Sequence, residues 1–290
     1  MVGKNLFLLK ERFTTEENYD FSRNSTIGAG GISPLAIYPD TIEETISLLS
    51  LLQDEDLPFY ILGNLSNVLP SDGIVNKIVV STKKLNRIDE NFVQAGVTSG
   101  ALIGFCKKHS LTGAEFLFGI PCSLGGALYM NAGVLGEYIA DLVESVTAYI
   151  DGKVETLSVA DCKYSYKQSV FMQNKAVILG AKLRLSQADD SDISHRLAHY
   201  AHRRLHLPKG KSMGCVFKNP TGFTAGRLIE GAGLKGMRIG GAVVSNQHAN
   251  FIINDNNAKA SEIKSLILLV KNAVFAQYKI NLEEEIRYLE

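Results

Sequence analysis

Apolar and polar residues alternate along the N-terminal two thirds of the chain in patterns typical of mixed helices and strands. Residues 41–53 carry apolar side chains three or four positions apart, which predicts an amphipathic helix. The run 59–62 is apolar throughout and ends at Gly63, as expected of a buried strand. By the same criteria we predict a helix at 99–109, strands at 77–81, 92–97, 143–150 and 176–185, and a hairpin turn at 151–152 that leads into a strand at 154–157.

The C-terminal third follows a polar stretch, residues 186–194, which is the best candidate for a domain boundary. Apolar residues then recur at helical spacing from Ile193 to Leu205, and Pro208 is expected to end this helix. The same spacing predicts a further helix at 260–278. These patterns indicate an α+β protein with a large N-terminal part and a smaller C-terminal α+β domain that starts at about His195.

Composition and charge exclude several classes of protein. The 30 acidic and 30 basic residues balance to a formal net charge of +0, so no overall field attracts nucleic acid or an anionic membrane. No apolar run approaches the ~20 residues that a membrane helix needs. The N-terminus, residues 1–12, lacks the long apolar core of a signal peptide. Because the four cysteines form no CxxC pair, we expect a cytoplasmic protein without a disulfide framework or a zinc ribbon.

Three glycine-rich stretches in the N-terminal half supply the candidate chemistry. They occupy residues 24–31, 63–67 and 119–127. Glycine lets the backbone approach a ligand closely, and successive amides form a cradle for the negative charge of a diphosphate. Each stretch taken alone is more typical of an ordinary tight turn. Because three such stretches occur in one half of the chain, we predict that they bind a dinucleotide or a flavin nucleotide.

A fourth glycine-rich segment, 231–236, fits the pattern GxGxxG, with Asp255 further along the chain. That pattern marks a dinucleotide-binding fold only where a strand precedes it. Here the preceding residues 224–230 have helical spacing, so Gly231 is expected to cap a helix. We therefore assign no cofactor site to this segment.

Taken in order, these and further motifs resemble the UDP-N-acetylenolpyruvoylglucosamine reductase family, also called UDP-N-acetylmuramate dehydrogenases. The most specific are Gly-Cys-Val-Phe-Lys-Asn-Pro at 214–220 and Ala-Gly-Arg-Leu-Ile-Glu at 225–230. The matching segments span nearly the whole chain: 24–31, 63–73, 113–133, 166–171, 214–220, 225–236, 240–254 and 282–287. Since only a modest segment separates Lys167 from Cys215, the chain resembles the shorter form of the family, which lacks an extra substrate-covering loop.

The resemblance implies an α+β architecture: an FAD-binding fold of the vanillyl-alcohol-oxidase type, made of two α+β subdomains, and a C-terminal α+β substrate domain. We place the subdomains at residues 1–82 and 83–190 and the substrate-binding domain at 195–290. The resemblance also implies that NADPH reduces the FAD. The enolpyruvyl group of UDP-N-acetylglucosamine enolpyruvate then takes a hydride from the flavin and a proton, giving UDP-N-acetylmuramate. We expect neither nucleic acid, a membrane nor an obligate protein partner to take part.

Three catalytic residues are implied by the resemblance. Hydride addition to an enol ether that bears a carboxylate builds up negative charge, so the site needs a cation at the carboxylate and a proton donor at the α-carbon. The family's Tyr-Arg pair falls on Tyr166 and Lys167, its serine on Cys215 and its late glutamate on Glu285. A thiol is a better acid than an alcohol, so Cys215 is a suitable proton donor.

The same three positions have simpler interpretations when the resemblance is set aside. Lys167 would be a solvated lysine at a strand edge, and Cys215 a small residue buried in the core. The acidic run 283–285 would be the solvated end of a helix. Lysine also keeps the charge of the family's arginine but loses its planar, two-point grip on a carboxylate.

Further residues are expected to hold the cofactor and the substrate. The predicted cofactor-binding residues are Gly63, Asn64, Leu65, Ser66, Asn67, Gly119, Ile120, Ser123, Gly125, Gly126 and Asn131. The predicted substrate-binding residues are Tyr166, Lys218 and Asn219. Leu65 and Cys122 stand where the family usually has glycine or another small residue. The leucine is expected either to crowd the diphosphate or to pack inward.

The departures from the family's residues keep two alternatives to a reductase open. One is another flavin-dependent oxidase of the same fold, and the other is a non-catalytic nucleotide-binding relative. A metal enzyme is not expected. His195, His199, His202 and His206 recur at helical spacing, but no acidic or cysteine ligand accompanies them, and the neighbouring arginines would repel a cation.

Overall fold

The computed structural model describes residues 8–90, 92–173 and 176–290. The expectation that residues 1–12 are not a signal peptide therefore falls mostly outside the described residues. Contacts between residues divide the chain into two compact units. The first contains the chain up to Glu17, Leu35–Asn64 and Lys77–Arg204, and the second contains Asn18–Pro34, Leu65–Asn76 and Leu205–Glu290. Each unit therefore combines segments that are distant in sequence. The three domain boundaries proposed from the sequence stay a prediction.

Helices occur in both units. Residues 8–12 are helical, and the α-helices that follow are α1 (Phe21–Asn24), α2 (Ile42–Asp54), α3 (Ser99–Lys108), α4 (Leu124–Met130), α5 (Ile139–Leu142), α6 (Asp190–Arg204), α7 (Ala225–Gly231) and α8 (Ala260–Tyr278). Short 3₁₀ turns lie at Thr82–Lys84, Glu115–Leu117 and Val170–Met172. Among the described residues no helix is both long and apolar enough to span a bilayer.

The strands are short, and they form several separate sheets. They are β1 (Thr15–Asp20), β2 (Ile32–Ile37), β3 (Phe59–Leu62), β4 (Val68–Pro70), β5 (Ile78–Ser81), β6 (Ile88–Asp89), β7 (Phe92–Gln94), β8 (Leu111–Thr112), β9 (Gly133–Val134), β10 (Glu137–Tyr138), β11 (Val143–Ile150), β12 (Lys153–Ser158), β13 (Val177–Leu183), β14 (Ser186–Gln187), β15 (Lys211–Cys215), β16 (Arg238–Ile239), β17 (Ala242–Val244), β18 (Phe251–Asn254) and β19 (Arg287–Leu289). With the helices, they confirm the predicted α+β class.

Helix α2 packs against two sheets of the first unit. One sheet has the order β1-β2-β5-β3, with β5 parallel to both β2 and β3. Leu48 and Leu52 of α2 belong to a core with residues of that sheet, whereas Leu49 packs with Tyr149 and Leu179 of β11 and β13. The helix is therefore apolar on two faces. Its start is fixed by Thr41, whose Oγ1 accepts a hydrogen bond of 3.1 Å from the Glu44 amide.

The second sheet of this unit is antiparallel, in the order β12-β11-β13-β7-β6. Its hairpin turn is the predicted one. Asp151 and Gly152 both have positive φ, at 46° and 83°, and Ile150 pairs with Lys153 across the turn. Positive φ at both central residues gives a two-residue turn whose twist matches that of the flanking strands, which favours Asp-Gly there. Helices α3 and α4 contribute Leu102 and Leu128 to the core that contains this sheet.

The second unit is built around an antiparallel sheet in the order β15-β18-β17-β16. Helix α8 buries one face in the core of this unit, together with Leu228 and Ile229 of α7. Asp72 caps α8, because its carboxylate accepts hydrogen bonds of 2.8 and 3.0 Å from the amides of Ala260 and Ser261. Strand β4 pairs in parallel with β19 at the end of the chain.

The segment 231–236 is preceded by helix α7, so the strand needed for a dinucleotide fingerprint is absent at this position, as expected. The prediction that Gly231 caps the helix is wrong. Gly231 is the last residue of α7, and the left-handed residue is Gly233, with φ of 71°. A Cβ on Gly231 would lie 2.3 Å from the Tyr278 hydroxyl, so close contact with the end of α8 accounts for this glycine.

A buried carboxylate, Glu115, stabilises the loop before the third glycine-rich stretch. It accepts hydrogen bonds from the Thr112 hydroxyl at 2.7 Å, the Gly113 amide at 2.8 Å and the Arg196 guanidinium at 3.2 Å. Burial alone would raise the pKa of this carboxyl, but these hydrogen bonds outweigh it and lower the pKa below the ordinary value of 4.5. The ionised form of Glu115 is therefore part of the folded structure.

We predict that Glu115→Gln destabilises the protein by about 1–3 kcal/mol at neutral pH, because charged hydrogen bonds are lost at a buried site. A depressed pKa contributes stability above the pKa of the unfolded chain and loses it as the pH falls. The difference from wild type should therefore shrink below about pH 4. Urea unfolding at several pH values measures it. Glu144→Gln, at an exposed position of β11, is the control, and an equal loss in both variants would contradict this account.

Candidate active site

Two of the predicted cofactor turns meet in the first unit. Strand β3 ends at Leu62, and Gly63 follows it directly against Ser123, the residue that caps helix α4. A Cβ built on Gly63 would lie 2.1 Å from the Ser123 hydroxyl oxygen. A larger residue here would therefore displace the Ser123 hydroxyl, which caps helix α4. The contact brings the start of the 63–67 stretch to the 119–126 stretch, as a shared cofactor site requires.

Several amides of the 119–126 stretch are already bonded within the protein. The amide of Leu124 donates to the Val97 carbonyl and that of Gly125 to the Ala95 carbonyl, both at 2.8 Å. The Gly126 amide donates to Ser123 Oγ at 3.3 Å. These hydrogen bonds fix the turn but engage the amides that the sequence suggested for a diphosphate. A diphosphate here needs other donors as well.

A cation that the sequence did not suggest as a ligand lies at the same turn. Gly119 is exposed with φ of 69°, and a Cβ on it would lie 2.6 Å from Arg204 Nε. The Arg204 side chain, at the end of α6, therefore lies against the Gly119 backbone. The signal available in the sequence was an arginine in the last turn of this helix, which ends at Arg204, four residues before Pro208. With Ser123, Arg204 gives the turn the positive and polar groups that suit a diphosphate.

Leu65 takes a backbone conformation that favours glycine, with φ of 49°. Its side chain is only 4% exposed, so it packs inward. Of the two outcomes expected for this residue, inward packing is the one found. The neighbouring residues Asn64, Ser66 and Asn67 are half-buried, and the turn keeps polar side chains at its surface.

The first glycine-rich stretch, 24–31, packs against other backbone segments of the second unit. A Cβ on Gly31 would lie 1.7 Å from the Gly73 carbonyl oxygen, and one on Gly28 would lie 2.6 Å from the side chain of Lys211. Asn254 donates hydrogen bonds to the carbonyls of Ile27 and Gly28 at 3.0 and 2.9 Å. Close backbone packing therefore accounts for Gly31, and a left-handed φ of 62° accounts for Gly28, as in an ordinary turn.

The second unit brings the segments of Cys215 and Glu285 together. Cys215 ends β15, where Gly214, with φ of 75°, accompanies a shift in strand register. The amide of Glu285 donates to the Val216 carbonyl at 2.8 Å, next to Cys215 in sequence. The side-chain amide of Asn67 donates to the Glu285 carbonyl at 3.1 Å. Three predicted site residues are thus joined by adjacent backbone contacts.

The acidic run 283–285 is not the helix end that its composition suggested. Glu284 forms a β-bridge with Phe217, and the Lys218 amide donates to the Glu283 carbonyl at 2.8 Å. Glu285 itself is half-buried. This extended run continues into β19, which pairs with β4. The helix-end alternative is wrong because these long-range hydrogen bonds hold the run extended.

Two predicted substrate contacts already have partners within the protein. The Lys218 ammonium forms an ion pair with Glu283, and the lysine side chain is 11% exposed. The Asn219 side-chain oxygen accepts a hydrogen bond of 3.0 Å from the Ala225 amide and so caps helix α7. Their roles toward a substrate stay predictions. Lys218 would have to exchange Glu283 for a substrate oxygen.

Lys167 lies in the first unit, at the corner of a tight turn, with φ of 56°. Ser165 and Gln168 on either side exchange backbone hydrogen bonds of 3.1 and 3.2 Å. Lys167 is half-buried and Tyr166 is 44% exposed. Lys167 is therefore a turn residue and not the solvated strand-edge lysine of the simpler interpretation.

Cys215 differs from the other three cysteines in its exposure. None of the four forms a disulfide, and Cys215 alone is half-exposed. Burial raises the pKa of Cys106 to about 12 and those of Cys122 and Cys162 to about 11. The buried thiols are therefore poor nucleophiles and poor acids. The interpretation of Cys215 as a buried core residue is wrong.

Comparisons with known proteins give matches over both units. Residues 206–289 match the C-terminal domain of UDP-N-acetylenolpyruvoylglucosamine reductase, and residues 34–158 match an FAD binding domain. The reductase of Shouchella clausii is 38% identical over 295 residues, covering 98% of this chain and 94% of that protein. The reductase of Clostridioides difficile is 34% identical over 290 residues, covering 97% and 95%.

A solved structure extends this similarity to the fold. The crystal structure of the UDP-N-acetylenolpyruvylglucosamine reductase of Thermus caldophilus matches with a TM-score of 0.85 and 31% identity, covering 96% of this chain and 100% of that one. Together with the two domain matches, it confirms the predicted order of an FAD binding domain followed by the C-terminal α+β domain of the reductases.

The exposure of the thiols predicts a selective alkylation. In the native protein at about pH 8, iodoacetamide should modify Cys215 at least ~10-fold faster than Cys106, Cys122 or Cys162, because those three are buried and burial raises the pKa of their thiols, whereas Cys215 is half-exposed. Peptide mass spectrometry after timed quenching measures the four rates. In denaturing urea all four should react alike. Similar native rates would contradict the burial described here.

Proposed function

Because the chain belongs to the UDP-N-acetylenolpyruvoylglucosamine reductase family, we propose that it reduces UDP-N-acetylglucosamine enolpyruvate to UDP-N-acetylmuramate, using FAD and NADPH, in peptidoglycan precursor synthesis. The observation that carries the proposal is the hydrogen bond between the Glu285 amide and the Val216 carbonyl. It brings the segment of the predicted carboxylate to the strand that carries the predicted proton donor.

For this reaction the protein has to orient the substrate, balance the charge that develops on it and donate a proton. Bound FAD, once reduced by NADPH, supplies the hydride to one alkene carbon. The Lys167 ammonium balances the negative charge that develops on the substrate carboxylate. The Cys215 thiol gives its proton from Sγ to the α-carbon and regains one from solvent. Glu285 places a carboxylate close to the strand of the thiol, where it can accept and hold a proton of the reacting groups.

The residues that would hold FAD come from the two turns that meet at Ser123. Gly63 and Gly119 let the backbone approach the diphosphate, and Asn64 and Ser66 offer neutral donors without bulk. The match of residues 34–158 to an FAD binding domain supports this assignment. Since the amides of 124–126 are engaged in the protein, side chains and the remaining amides carry more of the binding.

Tyr166, Lys218 and Asn219 are our candidates for the substrate's sugar and diphosphate. Lys218 is paired with Glu283, whose side chain is 71% exposed. An exposed partner is held weakly, so a diphosphate with two or more negative charges can replace it. Asn219 caps a helix through its side-chain oxygen, and it is proposed as a substrate contact because it lies next to Lys218 in the motif 214–220.

We place the protein in the cytoplasm and propose the nucleotide substrates as its partners. No pair of the four cysteines forms a disulfide, which is typical of a reducing compartment. A balanced net charge gives no reason to add nucleic acid or a membrane surface as partner.

The alternative of a non-catalytic relative is favoured by two departures from the family: a lysine, Lys167, in place of its arginine, and a cysteine, Cys215, in place of its serine. Both keep the chemistry needed: the lysine keeps a positive charge, and the thiol keeps an acidic proton. The reductase is therefore the function the residues support best. A flavin oxidase of the same fold would instead produce peroxide from a sugar or lactone in air.

We predict that the FAD-loaded protein oxidises NADPH faster when UDP-N-acetylglucosamine enolpyruvate is added. Lys167→Met should lower kcat/KM by about 10²–10³-fold, because the developing carboxylate charge is no longer balanced. Lys167→Arg should keep activity or lower KM, since arginine grips a carboxylate at two points. Initial rates of absorbance loss from NADPH measure this. Lys153→Met, at an exposed position of β12, is the matched control.

Three outcomes decide between the proposals. No substrate-dependent turnover with FAD bound would overturn the reductase. Peroxide formed in air from an added sugar or lactone would favour the oxidase. Equal activity of Lys167→Met and wild type would remove Lys167 from the mechanism while leaving the reductase assignment in place.

A further inference from the structure

Both polar groups of the Asn131 side chain, its nitrogen and its oxygen, form hydrogen bonds within the protein. It follows helix α4 with φ of 45° and is 5% exposed. Its amide nitrogen donates to the Ser165 carbonyl at 2.9 Å, and its oxygen accepts from the Ala140 amide at 3.3 Å. The sequence assigned Asn131 to the cofactor; in the structure its amide nitrogen joins it to the turn of Lys167 and its oxygen to helix α5.

A second hydrogen bond holds the other side of the same turn. The Ser169 hydroxyl donates to the Tyr129 carbonyl at 2.7 Å, and Ser169 is 2% exposed. Tyr129 and Asn131 are both at the carboxyl end of α4, so the turn 165–168 is bound to this helix before and after Lys167. Helix α4 has seven residues, a length of about 10 Å. Its other end is Ser123, in the predicted diphosphate turn.

Asn67 has the equivalent arrangement in the second unit. It is the last residue of the 63–67 stretch, and its side-chain nitrogen donates to the Glu285 carbonyl at 3.1 Å. Its own carbonyl accepts a hydrogen bond of 2.9 Å from the Arg287 amide. Asn67 thus binds the chain on both sides of Ile286. It fixes the backbone from which the Glu285 carboxylate projects.

We propose that Asn131 and Asn67 are positioning residues, each linking a glycine-rich cofactor turn to the backbone of a catalytic side chain, Lys167 or Glu285. This inference rests on the reductase function proposed above. Both links need a side-chain N–H that donates to a carbonyl. Asparagine supplies it, and the isosteric aspartate does not while it is ionised. Since misplacing a reacting group by ~1 Å costs about 10²-fold in rate, loss of either link reduces turnover without removing a cofactor contact.

The experiment compares Asn131→Asp and Asn67→Asp with wild type. We expect the Kd for FAD, measured by flavin fluorescence, to stay within about 3-fold of wild type. The rate at which UDP-N-acetylglucosamine enolpyruvate reoxidises the NADPH-reduced enzyme should fall about 10–100-fold. Asn257→Asp is the matched control, because Asn257 is exposed and also left-handed, with φ of 50°. It should change neither quantity.

A pH profile separates positioning from a loss of structure. A protonated aspartate at position 131 regains an O–H that can donate to the Ser165 carbonyl. The reoxidation rate of Asn131→Asp relative to wild type should therefore rise as the pH is lowered. A merely destabilised protein would show no such recovery. Ser169→Ala removes the second link, should slow the same step several-fold, and serves in place of Asn131→Asp should that variant not fold.

The outcomes distinguish this inference from the function it rests on. If wild type shows no turnover, the proposed function fails. If wild type turns over and the two asparagine variants match it, the positioning role is wrong. A rise in the Kd for FAD above ~10-fold with an unchanged reoxidation rate at saturating FAD would also overturn it, and would favour direct cofactor contact instead.

Discussion

Hydrogen bonds on both sides of Glu285 fix the backbone of its segment, and the proposed mechanism depends on them. On one side the Glu285 amide is bonded to the Val216 carbonyl, and on the other Asn67 holds the Glu285 carbonyl and the Arg287 amide. A backbone held from two sides has little freedom. The backbone of Glu285 is therefore fixed beside the strand of Cys215, more than sixty residues earlier in the sequence.

In the first unit, close packing between two turns fixes the backbone of the candidate cofactor site. Gly63 lies against Ser123, where any Cβ would collide with the hydroxyl. The amides after Ser123 are bonded within the fold, which makes the turn rigid and leaves ligand binding to fewer groups. Rigid turns of this kind suit a cofactor whose ring has to be held in one place while substrates exchange. Lys167, one of the residues that depart from the family, belongs to this unit, whereas Cys215 belongs to the second.

Much of the fold could be predicted because its signals are local. The spacing of apolar residues gave helix α8 its bounds, and Asp151-Gly152 predicted a hairpin. The roles of Asn67 and Asn131 could not be predicted, because their partners are backbone groups distant in sequence. The same reason explains the acidic run 283–285, whose composition suggested a helix end, although its hydrogen bonds to 216–218 make it extended. For Leu65 the sequence left two orientations of the side chain open, and only its burial in the folded protein shows that it packs inward.

The central claim is that the Cys215 thiol and the Glu285 carboxylate serve one reaction centre. A double-mutant cycle on kcat tests it most directly, with Cys215→Ala, Glu285→Gln and the two combined. Residues that act as a unit have strongly non-additive effects. Each single change should lower kcat about 10²–10⁴-fold, and the combined variant should be no more than ~3-fold slower than the slower single variant. Losses that multiply would show that the two residues act independently, and would contradict the shared site.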